Sequence, residues 1–219
     1  MKLFIFDHCP YCVRAMMMTG WKGLDIEWVY LQNHDVDARI RMVGANMVPI
    51  LEKADGSFMG ESLDIVAYLD KLDAASALAP AAFSKEIQSF LEESSYYSCR
   101  LLFPRNVKVA AVDMPEFAET EAIAWYSKNK TALISMDFDD AYAKSTTYIA
   151  GLAHCWPLLD KVSLPTERNN QLSYDDILLF PGLRNLTLVK GLVFPERIRR
   201  YIDEVAQLTH IRLYDAIAI

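Results

Sequence analysis

Two cysteines three positions apart, Cys9 and Cys12, are the residues whose types and spacing most plainly offer chemistry in this chain. They lie in the run His8-Cys9-Pro10-Tyr11-Cys12-Val13. On a helix, positions i and i+3 share a face, near enough for a disulfide with little backbone movement. Proline favours the first helical position, which puts Cys9 at or beside the N-cap. There it faces unpaired N–H groups and the positive end of the helix dipole. Both stabilise a thiolate, the reactive form of the side chain. Cys12 falls one turn further in, less exposed, and able to attack a mixed disulfide formed on Cys9. The chemistry this predicts is thiol–disulfide exchange. A metal site would need a second pair of ligands at similar spacing. The remaining cysteines, Cys99 and Cys155, are isolated, and the adjacent His154 and Cys155 would point different ways on a helix, so no metal is expected. Two inert buried thiols are the plainer alternative, and the strand–proline–helix context argues against it.

The elements that must position the pair follow from local patterning. The apolar run Leu3-Phe4-Ile5-Phe6 predicts a buried strand over 2–6, and Pro10 opens a helix over 10–19 that closes near Gly20. Residues 27–31 read as a second strand and 35–42 as a short helix ending at Gly44. Strands over 48–51 and 57–59 flank an Asp55-Gly56 turn. A helix over 61–72 carries Leu63, Ile65, Val66 and Leu69 on one side. This order of strands and helices makes a small mixed sheet flanked by helices. Residues 73–83, rich in Ala, read as a linker, and 84–219 as an all-helical domain.

Within the helical part, Ser84 is a plausible N-cap for a helix that reaches Pro104, with Cys99 as a buried thiol inside it. Pro115 opens a further helix through Tyr126 that ends in Lys128-Asn129-Lys130. A long amphipathic stretch spans 138–162, where Pro157 kinks or breaks it. Ser173 and Asp176 are spaced as a capping box, and Leu172 and Ile177 as a hydrophobic staple. The helix they open is apolar nearly all round to Val189, so it is central and buried, with a bend at Pro181. Pro195 starts a last helix to about Leu208, and the tail 211–219 packs back on the body. Met16-Met17-Met18 reads as packing rather than a cofactor box.

With 53% hydrophobic residues in 219, the chain can bury a sizeable core. Its net charge of −7 is spread over both halves, which makes nucleic acid a poor partner. No apolar run approaches the ~20 residues of a membrane span, and the four-residue N-terminal run is too short for a signal peptide. The expected compartment is therefore the reducing cytoplasm, where a Cys-x-x-Cys is catalytic rather than structural.

Two further pairs are candidates for binding. Val48-Pro49 could hold a cis bond that turns the Val48 backbone toward an extended peptide, or could be an ordinary edge proline. Ser62 could offer a hydroxyl and N–H groups to a carboxylate at a helix start, and Glu61 could pair with an ammonium group; helix capping is the alternative. His8 could tune Cys9 or be a plain loop histidine.

Cys9-Pro10-Tyr11-Cys12, then Val48-Pro49, then Glu61-Ser62 resemble, in order and spacing, a thioredoxin-like domain that binds glutathione. Cys-Pro-Tyr-Cys is similar to the glutaredoxin active site, and Glu61-Ser62 to the pair carried by glutathione transferases. With the helical extension, and with Arg41-Met42-Val43-Gly44 and Leu183-Arg184-Asn185-Leu186-Thr187, the whole chain resembles the bacterial two-domain glutaredoxins of the glutaredoxin 2 type. The resemblance implies an α/β thioredoxin-like N-terminal domain over 1–72 and an all-α domain over 84–219, the glutathione-transferase-like architecture. It also implies that Tyr11 flanks bound glutathione and that Val48 pairs its backbone with the cysteinyl unit beside cis-Pro49. Glu61 and Ser62 would hold the γ-glutamyl end. Arg39 and Arg41 are candidates for the glycine carboxylate by charge, or else solvated surface residues.

The function implied is a glutathione-dependent thiol–disulfide oxidoreductase, with glutathione as co-substrate. Disulfide-bonded or glutathionylated proteins would be its partners, no membrane would be involved, and a monomer is expected. The alternatives are a glutathione transferase that conjugates electrophiles, for which a dithiol is redundant, and a non-enzymatic binding module.

Overall fold

The structure is a computed structural model that describes residues 1–72 and 77–219, so part of the expected linker lies outside the described residues. Strand β1 (Lys2–Ile5) leads into helix α1 (Pro10–Trp21), followed by β2 (Glu27–Tyr30) and α2 (Val36–Val43). Then come β3 (Ile50–Glu52), β4 (Phe58–Met59) and α3 (Ser62–Leu72). The sheet order is β2-β1-β3-β4, with β1 parallel to β2 and antiparallel to β3. Leu3 and Ile5 of β1 are fully buried, and the strand ends where Cys9 must be delivered to solvent. Asp35 caps α2 by accepting from the Ala38 amide, and Gly44 ends it in the left-handed conformation at φ 74°. That is the backbone state only glycine enters freely.

The helical part begins with α4 (Ser84–Asp113), thirty residues long. It continues with α5 (Thr120–Ile134), α6 (Phe138–Ala143), α7 (Ser145–Ala153), α8 (Tyr174–Leu186) and α9 (Glu196–Thr209). Among the described residues no helix is long and apolar enough to cross a membrane. The buried side chains of β1, α1 and α3 merge with those of α4, α8 and α9 into one apolar core, so the two parts share an interior. Met16, Met17 and Met18 lie inside it, as packing. Helices α1 and α9 pack tightly at Gly20, where an added Cβ would collide with the Thr209 carbonyl oxygen.

Several expected boundaries move. Val48 and Pro49 precede β3 instead of opening it, and their peptide bond is cis. Leu63 is exposed, because the buried face of α3 runs through Ile65, Val66 and Leu69. Pro104 does not end α4 but lies inside it; the neighbouring Arg105 guanidinium donates to the Leu101 carbonyl one turn back, at 2.8 Å. Pro115 opens only a 3-10 turn, Pro115–Phe117, because Glu116 and Phe117 are drawn into the interior and the helix restarts at Thr120. Lys128-Asn129-Lys130 therefore sits inside α5, not at its end. The stretch 138–162 divides at Lys144 into two helices, the Ser145 hydroxyl donating to the Tyr142 carbonyl at 2.6 Å, and Pro157 lies in a 3-10 turn.

Helix α8 is opened by Ser173, whose amide and hydroxyl both donate to the Asp176 carboxylate, at 2.7 and 3.0 Å. It stops at Leu186 rather than Val189 and keeps Pro181 in its interior. The tail returns to the body: Ile211 and Tyr214 are buried, and the Ile219 amide donates to Leu188 at 3.1 Å.

Candidate active site

Cys9 is the N-cap of α1, in extended conformation, with Pro10 at the first helical position. Its carbonyl accepts the first helical bond, from the Val13 amide, and its own amide donates to Phe6. The sulfur is half-buried, while Cys12, one turn in, is fully buried and accepts from the Phe6 amide at 3.4 Å. Both are free thiols. The Cys12 thiol donates toward Cys9 and, with the electrostatic influence of His8 and the backbone amides of Cys12 and Tyr11, outweighs burial. Together they bring Cys9 down from the ordinary thiol range to about 7. Burial, followed by the demands of Cys9, drives Cys12 far up. One sulfur is thus ionised near neutrality while the other keeps its proton to donate.

This separation predicts a sharp selectivity. With iodoacetamide, the modification rate at Cys9 should rise about tenfold per unit below pH 7 and level off above it, because lowering a thiol's pKa moves the thiolate to lower pH. Cys12 should stay unmodified across the same range; peptide mapping of the alkylated chain reads both.

The other expected site residues fall into two groups. Tyr11 is exposed, and the Arg14 guanidinium sits over its ring at 4.8 Å. Arg14 also donates to the Ser62 hydroxyl at 3.3 Å, so Tyr11 and Ser62 are bridged by one cation. Ser62 is buried at the first position of α3, and Glu61 beside it is exposed, with φ at 61°. The Glu61 carbonyl caps the helix by accepting from Ile65. Val48 is half-buried before the buried cis-Pro49, and among the described residues its amide and carbonyl make no hydrogen bond. Paired backbone is the rule for buried segments, so these groups are open to water or a ligand.

Arg39 is not a free cation for a carboxylate. It is 1% exposed and donates to Asn46, Gln32 and Asn33 at 2.8–3.1 Å, between the rings of Phe6 and Trp125. Each of its three nitrogens is engaged, two with the loop after β2 and one with Asn46 beyond α2. Arg41 is exposed at the end of α2.

Three residues from the helical part complete the surroundings. The Glu116 carboxylate, fully buried, accepts from the His8 amide at 3.0 Å and sits 2.6 Å from His8 Nδ1. Arg184 donates to the Asp7 carbonyl at 2.7 Å and to both Asp7 carboxylate oxygens. The Asn185 side chain donates to the His8 carbonyl at 2.7 Å. Arg14, by contrast, had a legible signal, being three residues after Tyr11 on the same helix.

A thiol N-cap at the end of a four-stranded sheet, flanked by an all-helical unit, defines a thioredoxin-like domain in the glutathione-transferase-like architecture. A glutathione S-transferase of Ceriporiopsis subvermispora, 12% identical, shares that fold with a TM-score of 0.67 over 97% of each chain. Residues 3–77 match the family described as Glutathione S-transferase, N-terminal domain, and residues 86–218 the family described as Glutaredoxin 2, C terminal domain. The chain is 42% identical to Glutaredoxin 2 of Escherichia coli (strain K12) over 220 residues, covering all of both. The crystal structure of glutaredoxin 2 from Salmonella typhimurium in complex with glutathione superposes with a TM-score of 0.90, at 40% identity, over 100% of this chain and 98% of that one. The chain belongs to the glutaredoxin 2 family.

Proposed function

We propose that this chain is a glutathione-dependent thiol–disulfide oxidoreductase that reduces protein–glutathione mixed disulfides and protein disulfides. The observation that carries the reading is the pair of unequal sulfurs: a half-buried Cys9 ionised near pH 7 and a buried, protonated Cys12 behind it. Cys9 thiolate attacks the glutathione sulfur of a mixed disulfide, the protein thiolate leaves, and Cys9 is left glutathionylated. A second glutathione thiolate then displaces Cys9 and departs as oxidised glutathione. With a protein disulfide, Cys9 forms the mixed disulfide with the protein, and Cys12, once deprotonated, displaces the protein thiolate. The resulting Cys9–Cys12 disulfide is reopened by two glutathiones.

In this reading Tyr11, Val48, Pro49, Glu61 and Ser62 orient glutathione so that its sulfur reaches Cys9. Val48 offers an unpaired amide and carbonyl to the tripeptide backbone, and Glu61 and Ser62 receive its γ-glutamyl end beside Arg14. Residues 1–72 carry this site, 73–83 form the linker and 84–219 support the site from behind. The physiological setting is a reducing cytoplasm, with a monomer as the working unit.

The test is turnover of a glutathionylated peptide, followed by mass spectrometry, with and without glutathione. Release of the free peptide at a rate set by glutathione is expected. Conjugation of an electrophile to glutathione with no peptide release would overturn the proposal in favour of a transferase.

A further inference from the structure

Glu116 is one of the points where the helical part grips the loop that carries Cys9. One of its carboxylate oxygens takes the His8 amide at 3.0 Å and stands 2.6 Å from His8 Nδ1. Its carbonyl takes both the amide and the side chain of Asn33, at 3.1 and 3.2 Å. The carboxylate is 0% exposed, and its second oxygen, also buried, has no hydrogen-bond partner among the described residues. A half-satisfied buried carboxylate is costly and calls for an explanation beyond packing.

The His8 ring supplies one. It is stacked between Phe6 and Phe117, with centroids at 5.8 and 5.2 Å, and meets Tyr126 edge-on at 5.2 Å. It therefore has one orientation, with Nδ1 toward the carboxylate. A carboxylate hydrogen-bonded to an imidazole stabilises positive charge on the ring and places the proton on the shared nitrogen. His8 immediately precedes Cys9, and its charge is one of the causes that favour the Cys9 thiolate. We infer that Glu116 is a positioning residue for the Cys9 thiolate, lent by the helical part of the chain and acting through the His8 ring. This rests on the proposed thiol chemistry and adds a partner to it.

The other groups around the pair do not obscure the effect. Burial holds Tyr126 and Tyr214 above their usual range and Tyr30 at about 12, so all three stay neutral near pH 7. Cys12 keeps its proton, and Arg184 keeps its charge on Asp7. Cys99 and Cys155, elsewhere in the chain, are also held up by burial. Thiolate absorbance in the neutral range therefore reports Cys9.

The experiment is that absorbance titration on the full chain, as native protein, Glu116→Gln, His8→Phe and the double variant. Gln can still accept from the His8 amide, and Phe can still stack between Phe6 and Phe117. Glu116→Gln should move the Cys9 midpoint up by about half a unit to one unit. His8→Phe should move it similarly, and the double variant no further than His8→Phe alone. An unmoved midpoint in Glu116→Gln, or a double shift equal to the sum of the single ones, would overturn the inference. A second measurement needs no variant: the imidazole ¹⁵N shifts of native protein at pH 7 should show a proton on His8 Nδ1, and a bare Nδ1 would equally overturn it. Failure of native protein to release a glutathionylated peptide would sink the proposed function but leave this titration readable.

Discussion

Cys9→Ser is expected to bring reduction of a glutathione mixed disulfide down to the uncatalysed background. A serine hydroxyl at the same N-cap keeps the helix start but cannot ionise near pH 7, and the thiolate is the attacking species. Cys12→Ser should retain much of this activity, because glutathione itself releases glutathionylated Cys9. It should lose reduction of protein disulfides, which needs the second sulfur. The hydrogen bond from Cys12 is the largest cause of the easy ionisation of Cys9. A serine hydroxyl can replace that donor and an alanine methyl cannot. Cys12→Ala should therefore fall below Cys12→Ser at pH 6.5, with the two converging above pH 8. Peptide release measured across pH for the three variants decides this. Equal loss in Cys9→Ser and Cys12→Ser would refute the division of labour.

Arg184→Met should cost about 3–5 kcal/mol of stability, the range for removing one partner of a buried ion pair. Arg184 is 1% exposed, and its guanidinium reaches Asp7, Tyr214, Asn185 and the Arg212 carbonyl. Without it the Asp7 carboxylate keeps the Tyr214 hydroxyl at 2.6 Å but is left in the interior with Arg212 no nearer than 3.8 Å. Arg184→Lys retains the charge and loses the planar fork, so its loss should be smaller but clear. Urea unfolding of both variants gives the comparison. A loss under about 1 kcal/mol for Arg184→Met would show that Asp7 is solvated rather than paired. Asp7 lies two residues before Cys9, so iodoacetamide modification of Cys9 should also change in Arg184→Met.

The site was legible where it is local. Pro10 after Cys9, the three-residue spacing to Cys12 and the start of a helix at Ser62 are written in adjacent residues, and each falls where its chemistry puts it. Glu116 was not legible: in sequence it is one glutamate between a proline and a phenylalanine, and its meaning comes from His8, 108 positions away. Arg39 could be read as a binding cation or as surface, and is neither. The carbonyl groups that bury it belong to a loop whose path no local pattern reveals. Pro104 misleads for the opposite reason. Its local signal is strong, but the thirty-residue helix is held by its packing on the core. The fold class survives these shifts because hydrophobic period sets element type, while boundaries depend on partners far along the chain.

Gly20 lies near the end of α1 remote from Cys9, where the bare backbone lets the Thr209 carbonyl lie against it. An alanine there would set a methyl group against that oxygen, and α1 and α9 would have to part. Since the same helix begins at the reactive sulfur, one added carbon some ten residues away would disturb how that sulfur is seated.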